Sequence, residues 1–232
     1  MPRNVIKPAP TLAVERTLVM AGHHRVAGVD EVGVGALAGP LIAAAVVLPL
    51  PRAGLSLDEE LAKLAGVLGD VRDSKQVKVD RKEGLCALIR EVAAPDIGIG
   101  VVGVAELGQI GNQVRAATIA TARALDALPT APDIVLLDGV RPLDTVRVPQ
   151  VTVAKRWHGT TSLSIAAASI IASVTQHRAM VGYGELYPAY GFQRHNGHVS
   201  PAHLAALAEH GPSPIHHPHH RLVQAAMRAV SV

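Results

Sequence analysis

Between residues 28 and 40 the chain reads Gly28-Val29-Asp30-Glu31-Val32-Gly33-Val34-Gly35-Ala36-Leu37-Ala38-Gly39-Pro40. An apolar segment, Val26 to Val29, runs straight into two adjacent carboxylates, and glycines stand at 33, 35 and 39. Side chains alternate between faces along a strand, so Asp30 and Glu31 share one site only where the strand ends or bends. Gly33 and Gly35 allow such a bend and leave backbone groups open to a close ligand. Carboxylates gathered at a strand end, with few cations beside them, call for a divalent metal. The run also constrains the fold. A second apolar stretch, 41–48, follows Pro40 directly, so the connection is short and the two strands pair as neighbours.

Further strands are expected after this pair. The first covers 25–30 and the second 41–48, stopped by Pro49 and Pro51; 96–104, 133–137 and 151–154 follow. Helical periodicity is clear over 80–93, where Leu85, Leu88, Ile89 and Val92 share a face. Long alanine-rich helices are expected over 106–128 and 161–180, with shorter ones over 11–20, 57–65 and 201–210. The stretch 133–137 is almost wholly apolar, as in a strand covered on both faces. This order gives an α/β fold: a mixed five-stranded sheet flanked by helices, with a mostly helical C-terminal region. Residues 1–24 read as an N-terminal extension, 25–155 as the α/β core, and 156–232 as a helical region continuing the same domain.

At 232 residues, 49% hydrophobic and 18% charged, the chain is globular and long enough for a sizeable core. That core is aliphatic, because the five aromatic residues all lie between Trp157 and Phe192. Cys86 is the single cysteine, which excludes an intrachain disulfide and suits a reducing compartment. It falls in the 80–93 helix, where a buried structural thiol is expected. The first residues lack the apolar core of a signal peptide, and apolar runs such as 41–50 are too short to span a bilayer. A cytoplasmic protein without membrane attachment, and a monomer, is the expectation. Charge is uneven. Residues 1–150 carry 16 Lys and Arg against 17 Asp and Glu, whereas 151–232 carry 6 against 2 together with ten of the twelve histidines. A basic C-terminal region suits a polyanionic partner.

Four stretches now line up: Gly28-Val29-Asp30-Glu31 with its glycines; Arg72-Asp73-Ser74-Lys75 ahead of a helix; Leu136-Leu137-Asp138-Gly139 at a strand end; and Ser164-Ile165-Ala166-Ala167-Ala168-Ser169-Ile170-Ile171-Ala172, followed by Tyr187-Pro188-Ala189-Tyr190-Gly191-Phe192. In this order and spacing, over about residues 26–221, the chain resembles ribonuclease HII, the type 2 ribonuclease H. The resemblance implies a ribonuclease H-like fold. It also implies an endonuclease that cuts RNA in RNA–DNA hybrids and nicks 5′ of ribonucleotides embedded in duplex DNA, leaving 5′-phosphates. The family's chemistry is metal-assisted hydrolysis with Mn²⁺ or Mg²⁺. By resemblance Asp30, Glu31 and Asp138 are the catalytic metal ligands. Gly33, Val34 and Gly35 match the loop whose backbone helps read the ribose 2′-hydroxyl. Ser74 and Lys75 match the family's segment near the active site, with Lys75 facing phosphate, and His198 takes the place of a tyrosine that supports the ribose.

The chain departs from the family pattern at functional positions. Val34 stands where the family has arginine, and Thr160 follows Gly159 where a fourth carboxylate is expected, with Asp144 nearby in sequence. Ala172-Ser173-Val174-Thr175-Gln176-His177 replaces a stretch bearing two cations and a carboxylate. A catalytically weakened homologue that binds hybrid nucleic acid therefore stays open as an alternative. So does a zinc protein built on His195, His198, His203 and the 216–220 cluster, although spacings of three and five residues without cysteine are weak evidence for one.

Overall fold

The structure, a computed structural model, describes residues 9–54, 56–138, 142–153 and 162–230, the side chains of 229 and 230 excepted. Five strands form its centre: β1 (Val26–Val32), β2 (Leu41–Val47), β3 (Ile97–Val102), β4 (Ile134–Leu137) and β5 (Gln150–Thr152). They make one mixed sheet in the order β3-β2-β1-β4-β5. β1 and β2 are antiparallel, with Ala27 opposite Val47 and Val32 opposite Ile42. β3 adds antiparallel to β2. β4 lies parallel to β1, placing Leu137 beside Val29, and β5 lies parallel to β4.

Helices cover both faces. α1 (Ala13–Met20), α2 (Leu57–Val67) and α3 (Val79–Ala93) precede β3; α4 (Val104–Ile110) and α5 (Gln113–Asp126) follow it. After β5 come α6 (Leu163–Leu186), α7 (Phe192–His195), α8 (Pro201–His210) and α9 (Arg221–Val230). β2 is buried along its whole length, so alternate residues feed two cores. Ala44, Val46 and Leu48 pack with residues of α2, α3 and α6, while Ala43, Ala45 and Val47 pack with α5. Small residues let backbones approach closely. A Cβ at Gly28 would strike the Ser164 peptide of α6, and one at Gly100 would strike the Ala120 carbonyl of α5. The alanine-rich helices and the strand glycines are two halves of one packing solution.

The expected mixed five-stranded sheet flanked by helices is the fold observed, with several boundaries moved. β1 continues to Val32, so Asp30 and Glu31 lie within the strand and not at its end. The single helix expected over 106–128 is two, broken where Gly111 adopts φ 67° and Asn112 caps α5 by accepting from Arg115 N–H at 3.0 Å. The third strand stops at Val102 because α4 begins at Val104. α6 runs on to Leu186, six residues beyond the expected end. α9 was not foreseen; among its described side chains only Val223 is buried in the core. The expected residue Ala154 of the fifth strand lies outside the described residues, as does Thr160. No helix among the described residues is long and apolar enough to cross a membrane.

Candidate active site

Topology alone brings two carboxylates together. β1 and β4 are parallel neighbours with Val29 opposite Leu137, so Asp30 and Asp138 follow side by side at the C-terminal end of β4. Glu31 points to the other face of β1. It lines a cleft of about 150 Å³ with Asp138, Val29, Leu137 and Leu143, roofed by Val114, Ala117, Thr118 and Thr121 of α5. Asp30 instead meets α6, where Ser169 hydrogen-bonds its carboxyl. The Ser169 hydroxyl also accepts the Ser74 N–H at 3.1 Å and lies 2.9 Å from the Ser74 hydroxyl.

Burial pushes the Asp30 carboxyl up to about 8, and the charges of Glu31, Asp138 and Asp73 push the same way against the Ser169 hydrogen bond. Such crowding of like charge is what a divalent cation relieves. Among the described residues no three His, Cys, Asp or Glu side chains stand close enough to form a closed metal shell. That arrangement suits a hard cation that keeps several of its waters and takes only one or two protein carboxylates, as Mg²⁺ does.

The loop after β1 is held from three sides. Gly33 and Gly35 have φ of 100° and 80°, conformations that favour glycine. A Cβ at Gly33 would collide with the Pro40 carbonyl. Between them Val34 is 41% exposed. Gly35 N–H donates to Gln113 Oε1 at 2.7 Å, and Gln113 Nε2 donates to Ala36 O at 3.1 Å. Buried His217 donates from Nε2 to Gly39 O at 2.6 Å and accepts from Gln113 at 2.8 Å. The Gly35 donor is thus already engaged by Gln113.

The remaining predicted residues fall in different settings. Ser74 is buried, and its bonds to Ser169 make it a brace beneath Asp30 with no surface for a ligand. Lys75 is exposed on the 3₁₀ turn Ser74–Gln76, which Asp73 caps by accepting Lys75 N–H at 2.8 Å. His198 is exposed near Lys75; desolvation first, then the Lys75 charge, holds its ring below the usual histidine range. Asp144 is exposed and lines a shallow pocket with Arg115 and Thr145 that adjoins the Glu31 cleft, sharing Val114, Thr118 and Leu143 with it.

Three participants were given no role in the motif reading, although Ser169 stands inside the alanine-rich motif itself. Lys82 reaches from α3 to donate to Ser173 Oγ at 3.0 Å; burial lowers its ammonium, and the charge of Asp73 opposes that. Gln113 and Ser169 are the other two. Asn112, a helix-capping residue before Gln113, was the available signal for the former.

Three of the C-terminal histidines, His203, His216 and His217, are core residues. Ser213 N–H donates to His216 Nδ1 at 2.9 Å, so His216 Nε2–H donates to His203 Nε2 at 3.0 Å. His203 Nδ1–H then donates to His198 O at 2.9 Å. These rings pack against Phe192, and their nitrogens are engaged with one another and the backbone. Burial pushes His216 down to about 4. The zinc alternative finds no site here: His203 and His216 spend their ring nitrogens on each other and on the backbone, and among the described residues no group of three His, Cys, Asp or Glu gathers into a closed shell.

Comparison with known proteins agrees with the fold. The Ribonuclease HII family model matches residues 27–224. Ribonuclease HII of Citrifermentans bemidjiense is 43% identical over 215 residues, covering 93% of this chain and 85% of that protein. Among solved structures, ribonuclease H2 of Pyrococcus horikoshii superposes with a TM-score of 0.72 at 22% identity, over 89% of this chain and 99% of the other. Bst-RNase HIII in complex with Mn²⁺ superposes with a TM-score of 0.61 at 20% identity, over 88% of this chain and 70% of the other. With its sheet, its paired strand-end carboxylates and a family match across most of its length, the chain belongs to the ribonuclease HII family, hydrolases that cleave RNA in RNA–DNA hybrids.

Proposed function

We propose that this chain hydrolyses the RNA strand of RNA–DNA hybrids and nicks 5′ of ribonucleotides embedded in duplex DNA, using Mn²⁺ or Mg²⁺ held among Asp30, Glu31 and Asp138, one or two of them bound directly and the rest through the waters the ion keeps. The observation that carries this reading is the state of Asp30. Its carboxyl is driven up to about 8 by burial and by three neighbouring carboxylates, a charge excess that a divalent ion neutralises. The Mn²⁺ bound by Bst-RNase HIII, which shares the fold, supports the choice of a hard cation. When bound, the ion activates water and stabilises the leaving 3′ oxygen.

The chain's own residues supply the rest. Ser169 fixes the Asp30 carboxyl while its hydroxyl is itself held by Ser74. Lys75 presents its ammonium at the rim, where a phosphate of the duplex would lie. The Gly33–Gly35 loop offers backbone to the ribose, and Gln113 moves aside from Gly35 when the 2′-hydroxyl takes that donor. His198 stacks against the sugar from the opposite rim, close to Lys75.

Replacing Asp30 with Asn tests the assignment. The variant should lose several kcal/mol of transition-state stabilisation, about 10²–10³-fold in rate, on a fluorescent RNA–DNA hybrid with Mn²⁺. Its affinity for the same hybrid, measured by anisotropy without divalent metal, should not fall. Retained cleavage would move the metal site away from Asp30. Absence of cleavage in the unaltered chain, alongside hybrid binding, would select the reading of a non-cleaving homologue, which the replacements at Val34 and Ser173 favour.

A further inference from the structure

Fifteen residues before Asp30, α1 carries a fully buried acid, Glu15. Its Oε1 accepts three hydrogen bonds at the start of α6: from Ser162 Oγ at 2.7 Å, Ser164 N–H at 3.0 Å and Ser164 Oγ at 2.7 Å. Ser162 is the N-cap of α6 and its hydroxyl also accepts from Ile165 N–H at 3.2 Å. Thr11, just before α1, reinforces the join: Leu163 N–H donates to Thr11 O at 3.0 Å. A carboxyl placed at a helix N-terminus meets unpaired N–H donors and the positive end of the helix dipole. Burial raises the Glu15 pKa while these hydrogen bonds oppose the rise.

The clasp bears directly on the carboxylate site. The Ser164 peptide rides on Gly28 so closely that no side chain fits between them, and Gly28 lies two residues before Asp30 on β1. α6 runs alongside β1 from there. Ser169 meets Asp30, Gln176 lies next to Gly33, and Met180 packs over Gly39. The height at which α6 starts on Gly28 therefore sets where the Ser169 hydroxyl stands relative to Asp30. About one and a half turns of helix separate the clasped peptide from that hydroxyl.

We propose that Glu15 is a positioning residue for hydrolysis: by fixing the first turn of α6 on Gly28 it registers Ser169 against Asp30. The inference rests on the function proposed above. Glu15 touches neither duplex nor metal. Its loss should slow the chemical step while leaving duplex recognition intact, because a small displacement at a reacting centre costs far more in rate than in binding.

The test uses the full chain with Glu15→Ala and Glu15→Gln. With Mn²⁺ and a hybrid substrate, Glu15→Ala should lower kcat by about 10²-fold with KM and metal-free hybrid affinity near those of the unaltered chain. Glu15→Gln retains a carbonyl oxygen for the same three donors and should recover most of that loss. Hydrogen exchange provides a readout independent of activity. Amides of residues 164–169 should exchange faster in Glu15→Ala, with those of residues 176–186 unchanged, and Glu15→Gln should restore protection. The proposal is overturned if Glu15→Ala keeps its kcat, if Gln fails where Ala fails, or if protection falls uniformly along α6. Should the unaltered chain not cleave at all, the functional reading fails. The exchange pattern then decides alone whether Glu15 registers α6, and uniform or absent changes would still overturn it.

Discussion

A carboxyl that holds its proton close to neutral pH, as Asp30 does before any metal arrives, is the opposite of an ordinary surface aspartate. Its neighbours are arranged to make it so, and only hydrogen bonds oppose them, from Ser169 and from the Glu31 N–H, which donates to Asp30 Oδ1 at 2.9 Å. The histidines show the reverse sign. His216 is pushed down to about 4 and His203 is also lowered, each chiefly by burial. The folded state therefore binds fewer protons than the unfolded chain between the ordinary histidine value and that lowered one. Stability is fully present above about pH 6.5 and is lost as pH falls toward 4. Protonation would also set two N–H groups against each other between His203 and His216. Replacing His216 with Gln should remove up to one proton from this dependence, flattening the fall in unfolding free energy by about 1.4 kcal/mol per pH unit. Denaturant melts at pH 7, 6 and 5 would show it, and an unchanged slope would mean His216 takes no part.

Among the elements, the contacts most sensitive to substitution are those made backbone to backbone. Gly100 of β3 lies under the Ala120 carbonyl of α5, and Gly98 under that of Ala124. Gly100→Ala should cost about 1–3 kcal/mol or more, because a strand and a helix must separate to admit one methyl. Calorimetry on the purified variant would measure it as a lowered melting temperature; an unaltered one would show that α5 can ride higher without loss. These same contacts show which parts of the fold were legible in the sequence. Apolar runs bounded by proline and glycine marked each strand, and alanine-rich periodicity marked α6. Where one periodic pattern crossed a break, as at Gly111 and Asn112, periodicity joined two helices that the left-handed glycine separates. α9 went unseen although Leu222, Val223, Ala226 and Met227 recur at helical spacing, a pattern the reading did not follow past Arg221. Asp138 just past the end of β4 was visible, whereas Asp30 and Glu31, expected at a strand end, lie within β1. The separation of Asp30 from Glu31 onto opposite faces was not visible, since it depends on β1 continuing to Val32. Lys82 and Gln113 reach their partners from separate helices, a proximity that only the folded chain creates.

At the scale of the whole molecule, two cores and one sheet serve a single crevice. α5 roofs the cleft beside Glu31 and Asp138; α6 braces Asp30 from the opposite face. The segment from α7 to α9 closes behind the glycine loop through His217 and through Leu37 N–H, which donates to Gly197 O at 2.8 Å. The net positive charge of residues 151–232 accompanies this closure and suits a duplex of phosphates. Whether such a frame still hydrolyses, with Val34 and Ser173 in place of cations, turns on whether three carboxylates suffice for the metal chemistry. The most direct measurement is a cleavage assay on duplex DNA containing one ribonucleotide, run with Mn²⁺ and with Mg²⁺ and resolved to single nucleotides. A nick immediately 5′ of the ribonucleotide, dependent on either metal and abolished by chelation, is the predicted result. An intact strand with both metals, from protein that binds the same duplex, would contradict it.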